Sequence, residues 1–163
     1  MIDGFASTHR PLTKDGWDCS DMAEPTSAGH EQAPSDALRL VIGENNADLA
    51  MTLSLLLDAE ADMRCVATVA SSSAVLAALD SHVPNAFVLD LSLDDGSSLP
   101  LIATLRARLP TAAIIVHTGY QNESLQEQCL RSGADAVVIK TGDIDALTTA
   151  LRQAARRRIA ATP

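Results

Sequence analysis

Five short apolar runs punctuate this chain: LRLVIG (38 to 43), RCVATVA (64 to 70), AFVLDL (86 to 91), AAIIVHT (112 to 118) and DAVVIK (135 to 140), and each is followed by a helical pattern. The runs lack the strict alternation of a strand with one wet face, so each reads as a strand buried on both sides. Strands of that kind pair in parallel, and parallel neighbours need a crossover that covers the sheet. With right-handed crossovers the expected architecture is a doubly wound α/β domain with a five-stranded parallel sheet.

The intervening segments carry helix punctuation. In NADLAMTLSLLLDAEA, Leu49, Leu53, Leu56 and Leu57 fall on one face at helical spacing. SSSAVLAALDSH opens on serines suited to capping free amides. Pro100 stands in the first turn of SSLPLIATLRARLP, where a helix tolerates proline. In NESLQEQCLRSG, Ser124 and Glu127 have capping-box spacing and Gly133 is placed as a C-terminal cap. The last helix has Asp143 and Asp145 near its start and Arg152, Arg156, Arg157 and Arg158 near its end, matching the helix dipole at both ends.

In an open α/β sheet the carboxyl ends of the strands converge on one crevice. Five polar groups are expected there: Glu44 and Asn45 after the first strand, Asp90 closing the third, Thr118 closing the fourth and Lys140 closing the fifth. Carboxylate and amide oxygens around a small volume suit Mg²⁺, while a hydroxyl and an ammonium opposite them suit phosphate oxygens. The set fits phosphoryl transfer with Asp90 as nucleophile.

Composition narrows the class. Of 163 residues, 47% are apolar but only 2% aromatic, so the core must be aliphatic. A net charge of −9 argues against a surface built to hold nucleic-acid phosphates. Cys19, Cys65 and Cys129 are odd in number and widely spaced, giving neither a disulfide framework nor a zinc pattern. No apolar run has the length of a membrane span, and the first thirty residues lack the apolar core of a secretory signal. The expectation is a soluble cytoplasmic protein. Residues 1 to 37 hold seven acidic and two basic residues without apolar periodicity, and read as a disordered acidic tail in which Phe5, Trp17 and Met22 are scattered.

These residues resemble the receiver domains of two-component response regulators. The resemblance covers 38 to 158, with 159 to 163 as a short tail, and rests on Glu44, on VLDLSLDDG around Asp90, on Thr118 and on GADAVVIK leading to Lys140. The separations of 28 residues from Asp90 to Thr118 and 22 from Thr118 to Lys140 also match. GADAVVIKTGDIDALTTAL is most similar to receivers that accompany LuxR-type helix-turn-helix domains, and here the expectation is a receiver standing alone. The resemblance implies a flavodoxin-like (βα)5 fold and phosphorylation of Asp90 by a sensor histidine kinase or a histidine phosphotransfer protein. It also implies Mg²⁺ held by Asp90, Asn45 and the backbone carbonyl of Ser92, with Glu44 reaching it through water. Thr118 and Lys140 would bind the acyl phosphate. Output would pass through a protein surface, homodimerisation through the fourth helix, fifth strand and last helix being one form of it, with no direct contact to nucleic acid or membrane.

Two departures stand out. The family usually has a second acid at the position of Asn45, so Mg²⁺ binding is expected to be weak. It usually has Tyr or Phe at the position of Val137, whose side chain cannot make an aromatic rotation; Tyr120 is the neighbouring ring. The alternative is a degenerate receiver that binds a partner without phosphate. A haloacid-dehalogenase-like phosphatase would want an acid two residues after the nucleophile, where Ser92 stands. Asp94 and Asp95 read as turn acids. His117 is expected to point away from Thr118 as a packed or surface histidine, Cys65 and Cys129 to act as small core residues, and the terminal arginines to be solvated.

Overall fold

The computed structural model describes residues 37–161. The acidic-tail reading, with Phe5, Trp17, Met22 and Cys19, lies outside the described residues. The elements are β1 (Leu38–Gly43), α1 (Ala47–Asp58), β2 (Met63–Val69), α2 (Ser72–His82), β3 (Ala86–Leu89), β4 (Ser92–Leu93), β5 (Gly96–Ser97), α3 (Leu99–Arg108), β6 (Ala113–Thr118), α4 (Glu123–Ser132), β7 (Ala136–Ile139) and α5 (Ile144–Ala160). Strands β1, β2, β3, β6 and β7 are the five expected from the sequence. They form one parallel sheet in the order β2-β1-β3-β6-β7.

The strands are buried because both faces are covered. Leu40, Ile42, Val88 and Ile115 pack with Leu53 and Leu57 of α1 and with Leu147 and Leu151 of α5. Val41, Phe87, Leu89, Ile114 and Val116 pack on the other face, with Val75 of α2, Leu101, Ile102 and Leu105 of α3 and Cys129 of α4. Parity along each strand sorts its side chains between these two layers. The chain turns left from β1 to β2 and right from β1 to β3, so the crevice opens between the carboxyl ends of β1 and β3. Gly43 closes β1 because a Cβ there would lie 3.1 Å from Leu89 and 3.2 Å from Val75.

Local expectations fare unevenly. Ser71 caps α2, Pro100 stands in the first turn of α3, Gly133 ends α4 at φ 112° and Asp143 caps α5. The cap of α4 is Asn122, whose side chain accepts from Leu125 N, and Ser124 lies within the first turn; the asparagine two residues earlier takes the capping role. On α1, Leu53 and Leu57 are buried and Leu49 is half-buried, but Leu56, at the margin of the stripe, is exposed. The last helix runs to Ala160, two residues past the limit of 158 drawn from the sequence. The two-residue strands β4 and β5 form a hairpin that the sequence reading did not anticipate, closed by Asp94 and Asp95.

Candidate functional site

Asp90 follows β3 directly, and its amide donates to Gly43 O at 2.8 Å, which continues the ladder by one bond and fixes the carboxylate beside the end of β1. Glu44 follows Gly43, with its own amide bonded to Val69 O at 2.9 Å. Lys140 follows β7, and its amide donates to Thr118 O at 2.8 Å. These strand ends are therefore held by backbone bonds, and above them three side chains, those of Glu44, Asp90 and Lys140, meet.

The meeting point is the Lys140 ammonium. Its Nζ lies 2.7 Å from Glu44 Oε2 and 2.9 Å from Asp90 Oδ2. Glu44 is 4% exposed and Asp90 8%, so this is a three-charge cluster in a poorly hydrated setting. Burial disfavours the charged ammonium, but the hydrogen bonds to Glu44 and Asp90 outweigh it and raise the Lys140 pKa above its ordinary value. The other Glu44 oxygen, Oε1, accepts from Asn46 N at 3.1 Å. Thr118 is fully buried at the end of β6, and its hydroxyl oxygen accepts from Tyr120 N at 3.2 Å.

The donor set suits a hard cation. The ammonium within 2.9 Å of both carboxylates demonstrates that the pair is spaced to share one positive charge. Asn45 is exposed beside Glu44, and Ser92 is exposed in the loop after Asp90. Among the described residues no three His, Cys, Asp or Glu side chains gather as a metal cage.

Asp95, read from the sequence as a turn acid, does more than close a turn. Its two carboxylate oxygens accept from Ser72 N at 2.7 Å and Ser73 N at 3.0 Å, tying the β4–β5 hairpin to the start of α2. Those backbone donors hold its carboxyl below the usual range. Asp94 N donates to Ala70 O at 2.9 Å and Ser98 N to Leu91 O at 2.9 Å, so the loop that carries Ser92 is anchored at three places. The signal was present in DDG, but its partners lie over twenty residues upstream. Tyr120 is 55% exposed and stands at a cleft of about 340 Å³ lined also by Leu91, Leu93, Leu99 and Leu125. Val137 is half-buried against the α2–α3–α4 layer.

Of the packed and surface placements open to His117, the structure shows the packed one, with the residue 7% exposed. Cys129 is buried and Cys65 half-buried. Two of the arginines expected to be merely solvated are paired instead: Arg152 with Glu60 at 2.6 Å and Asp62 at 2.7 Å, and Arg158 with Asp135 at 2.7 Å. These acids come from elements distant in sequence, which helical periodicity does not reveal.

Residues 40–152 match the model of the response regulator receiver domain. The chain is 30% identical over 117 residues to the oxygen regulatory protein NreC of Staphylococcus haemolyticus, covering 71% of this chain and 54% of that protein. It is 36% identical over 96 residues to the transcriptional regulatory protein KdpE of Mycobacterium tuberculosis, covering 59% and 42%. The chain thus spans about half the length of the curated relatives it matches. Among solved structures, a CheY-like receiver domain protein from Methanospirillum hungatei superposes with a TM-score of 0.70 at 19% identity, over 77% of this chain and 99% of that one. A LuxR-family DNA-binding response regulator from Staphylococcus aureus superposes with a TM-score of 0.67 at 19% identity, over 72% and 98%.

Proposed function

The chain belongs to the response regulator receiver family of two-component systems, and from that premise we propose that Asp90 is its phosphoacceptor. Receivers are signalling domains that interact with histidine kinases and downstream effectors, and they generally bind Mg²⁺ at an acidic phosphorylation site. The observation that carries the assignment is the Lys140 ammonium held 2.9 Å from Asp90 and 2.7 Å from Glu44, because it is a cation aimed at the oxygen that would be phosphorylated.

In this reading an Asp90 carboxylate oxygen attacks the phosphorus of a phosphohistidine on a sensor kinase or phosphotransfer protein. A P–O bond forms, the P–N bond breaks and the imidazole leaves, so that Asp90 carries a mixed anhydride. Lys140 releases one carboxylate contact for a phosphoryl oxygen, exchanging like for like in charge-assisted hydrogen bonds. The Thr118 hydroxyl gives up its Tyr120 partner to donate to the phosphoryl group, which moves the β6–α4 loop. Asp90, Asn45, the Ser92 carbonyl and Glu44 through water would hold Mg²⁺, which supplies charge neutralisation for the transferred group. Output would pass through α4, β7 and α5, as a contact with a protein partner or a second copy. With Val137 unable to rotate an aromatic ring, Tyr120 beside its apolar cleft is the ring available to register loop movement.

The second reading, a phosphate-independent binding module, has one specific observation in its favour: both Glu44 oxygens are already engaged, by Lys140 and by Asn46 N, and position 45 carries no charge. Intact mass after incubation with acetyl phosphate separates the two. A Mg²⁺-dependent gain of one phosphoryl group, absent from Asp90→Asn, supports the phosphoacceptor; no gain at millimolar Mg²⁺ favours the module.

A further inference from the structure

The cation set of the proposed phosphorylation site leans on one backbone atom. Asn45 offers an uncharged amide, and both Glu44 oxygens are engaged, by Lys140 Nζ at 2.7 Å and by Asn46 N at 3.1 Å. The Ser92 carbonyl therefore carries more of the binding than it would beside a second free acid. A carbonyl has no rotamers of its own, so the backbone that bears it decides where it stands. Mg²⁺ is exacting in this respect, since it demands near-ideal octahedral geometry.

Ser92 lies on a ribbon too short to hold itself. Strands β4 and β5 pair Ser92 with Ser97 and Leu93 with Gly96, and an isolated two-stranded hairpin is marginal in water. Two attachments fix it. At the base, Ser98 N donates to Leu91 O at 2.9 Å, and Leu91 and Leu93 are buried on either side of the exposed Ser92. At the tip, Asp94 N donates to Ala70 O at 2.9 Å, and the Asp95 carboxylate accepts from Ser72 N at 2.7 Å and Ser73 N at 3.0 Å. Those two amides open α2, so they have no partner within the helix and stand at the positive end of its dipole. The next amide, Ala74 N, is taken by Ser71 Oγ at 3.2 Å.

We propose that Asp95 is a positioning residue for the phosphorylation site: by clamping the hairpin tip to α2 it sets the Ser92 carbonyl for Mg²⁺. The inference rests on the reading of Asp90 as a phosphoacceptor with Mg²⁺ beside it. Asp95→Asn keeps one acceptor and turns an NH₂ group toward the other backbone N–H, donor against donor, so one of the two bonds is lost. Ser72→Pro breaks the clamp from the other side. Position 72 is the first residue of α2, where a helix tolerates proline, and Ser71 before it is extended, φ −133° and ψ 154°, as the residue preceding a proline prefers. This variant removes a donor and leaves every charge in place. Asp94→Asn is the converse control, deleting a neighbouring charge whose carboxylate makes no hydrogen bond among the described residues.

The test follows backbone amide shifts of the full chain during Mg²⁺ titration, at a temperature where the variants are folded. Asp95→Asn and Ser72→Pro are each expected to weaken Mg²⁺ binding about tenfold, as loss of an outer partner does at metal sites. Asp94→Asn should weaken it by less than about twofold at physiological ionic strength, where an exposed charge is screened. If one of the two clamp variants does not fold, the other decides. A role confined to stability would lower the unfolding midpoint and leave the affinity of the folded chain unchanged, which overturns the proposal. Equal weakening by Asp94→Asn and Asp95→Asn, with Ser72→Pro unaffected, overturns it by assigning the effect to charge. A wild type that binds no Mg²⁺ overturns the cation site and this inference with it, whereas a wild type that binds, with both clamp variants its equal, overturns the inference alone.

Discussion

An ammonium between two carboxylates that are 4% and 8% exposed is mutually required by all three groups. Removing Lys140 would leave Glu44 and Asp90 facing one another with no countercharge, each already stripped of most of its water. Lys140→Met is therefore expected to lose about 2 kcal/mol of stability at pH 7, the cost of orphaning buried polar groups, measured by denaturant unfolding. The pH dependence has a definite sign. The folded pKa of Lys140 lies above the ordinary 10.5, so its contribution is complete below that value and is lost as pH rises through the folded pKa. The stability gap between wild type and Lys140→Met should be flat from pH 7 to about 10 and narrow above; a gap that narrows below pH 9 would assign the stabilisation to another group. Position 45 is the complementary probe. An exposed carboxylate added beside Glu44 raises the local negative charge, so Asn45→Asp is expected to tighten Mg²⁺ binding by about tenfold in calorimetric titration. Unchanged affinity would remove residue 45 from the cation's surroundings.

Between elements, the equivalent concentration of polar bonds is around Asp135, just before β7. Its carboxylate is bound by Arg106 of α3 at 2.8 Å, by Arg158 of α5 at 2.7 Å and by Ile114 N of β6 at 2.9 Å. One acid thus joins helices on opposite faces of the sheet. Burial lowers the Arg106 pKa despite Asp135, which marks a guanidinium that depends on its partners. It also donates from Nε to Gly133 O at 2.9 Å and from Nη1 to Ala112 O at 2.8 Å. Asp135→Ala should cost about 3 kcal/mol, because it strands a largely buried cation and a strand amide together. At Gly133, φ is 112° and an added Cβ would meet Arg106 Cβ and Cγ at 2.8 Å, so Gly133→Ala should cost about 2 kcal/mol. The two sites share Arg106, and the double variant should lose less than the sum of the singles; strict additivity would mean that the arginine does not couple them. The contrast with what the sequence revealed is physical. Strands, helices and most caps are local: Ser71, Pro100 and Asp143 could be read because their partners stand within a turn. Asp135 pairs across 23 and 29 residues, Arg152 across about ninety and Asp95 across more than twenty, and side-chain periodicity carries no information on such pairs. The residues at the crevice edge were legible for a different reason: in a parallel sheet every strand's carboxyl end lies at one edge, so Glu44, Asp90, Thr118 and Lys140 stand at that edge by topology, and the first, second and last of them meet.

At the scale of the molecule the sheet is graded. Strands β1, β3 and β6 occupy the middle and are buried almost throughout, whereas the edge strands β2 and β7 are largely half-buried, β7 along its whole length. Strand order, which decides this grading, was not legible in the apolar runs themselves, since AVVI of β7 is as wholly apolar as AFVL of β3. Local opening follows buried apolar packing, so edge elements should open at lower free energy than central ones. Amide exchange is expected to be slowest at residues such as Ile42, Val88 and Ile115, close to the limit set by global unfolding, and faster in β7. The grading bears on the proposed signalling because the less buried edge strand β7 is the one that leads into Lys140, while Asp90 follows the central strand β3. On the proposed function, a change of charge at Asp90 is expected to meet a fully buried strand on one side and a half-buried one on the other, so β7 with its flanking α4 and α5 is the part expected to respond. In exchange experiments with acetyl phosphate and Mg²⁺, protection should change in β7 and its neighbours while β1 and β3 stay as they were. Protection in β7 equal to that in β3 beforehand would mean that this edge is as stiff as the core, leaving the Thr118 to Tyr120 loop as the only route by which the site could reach the surface.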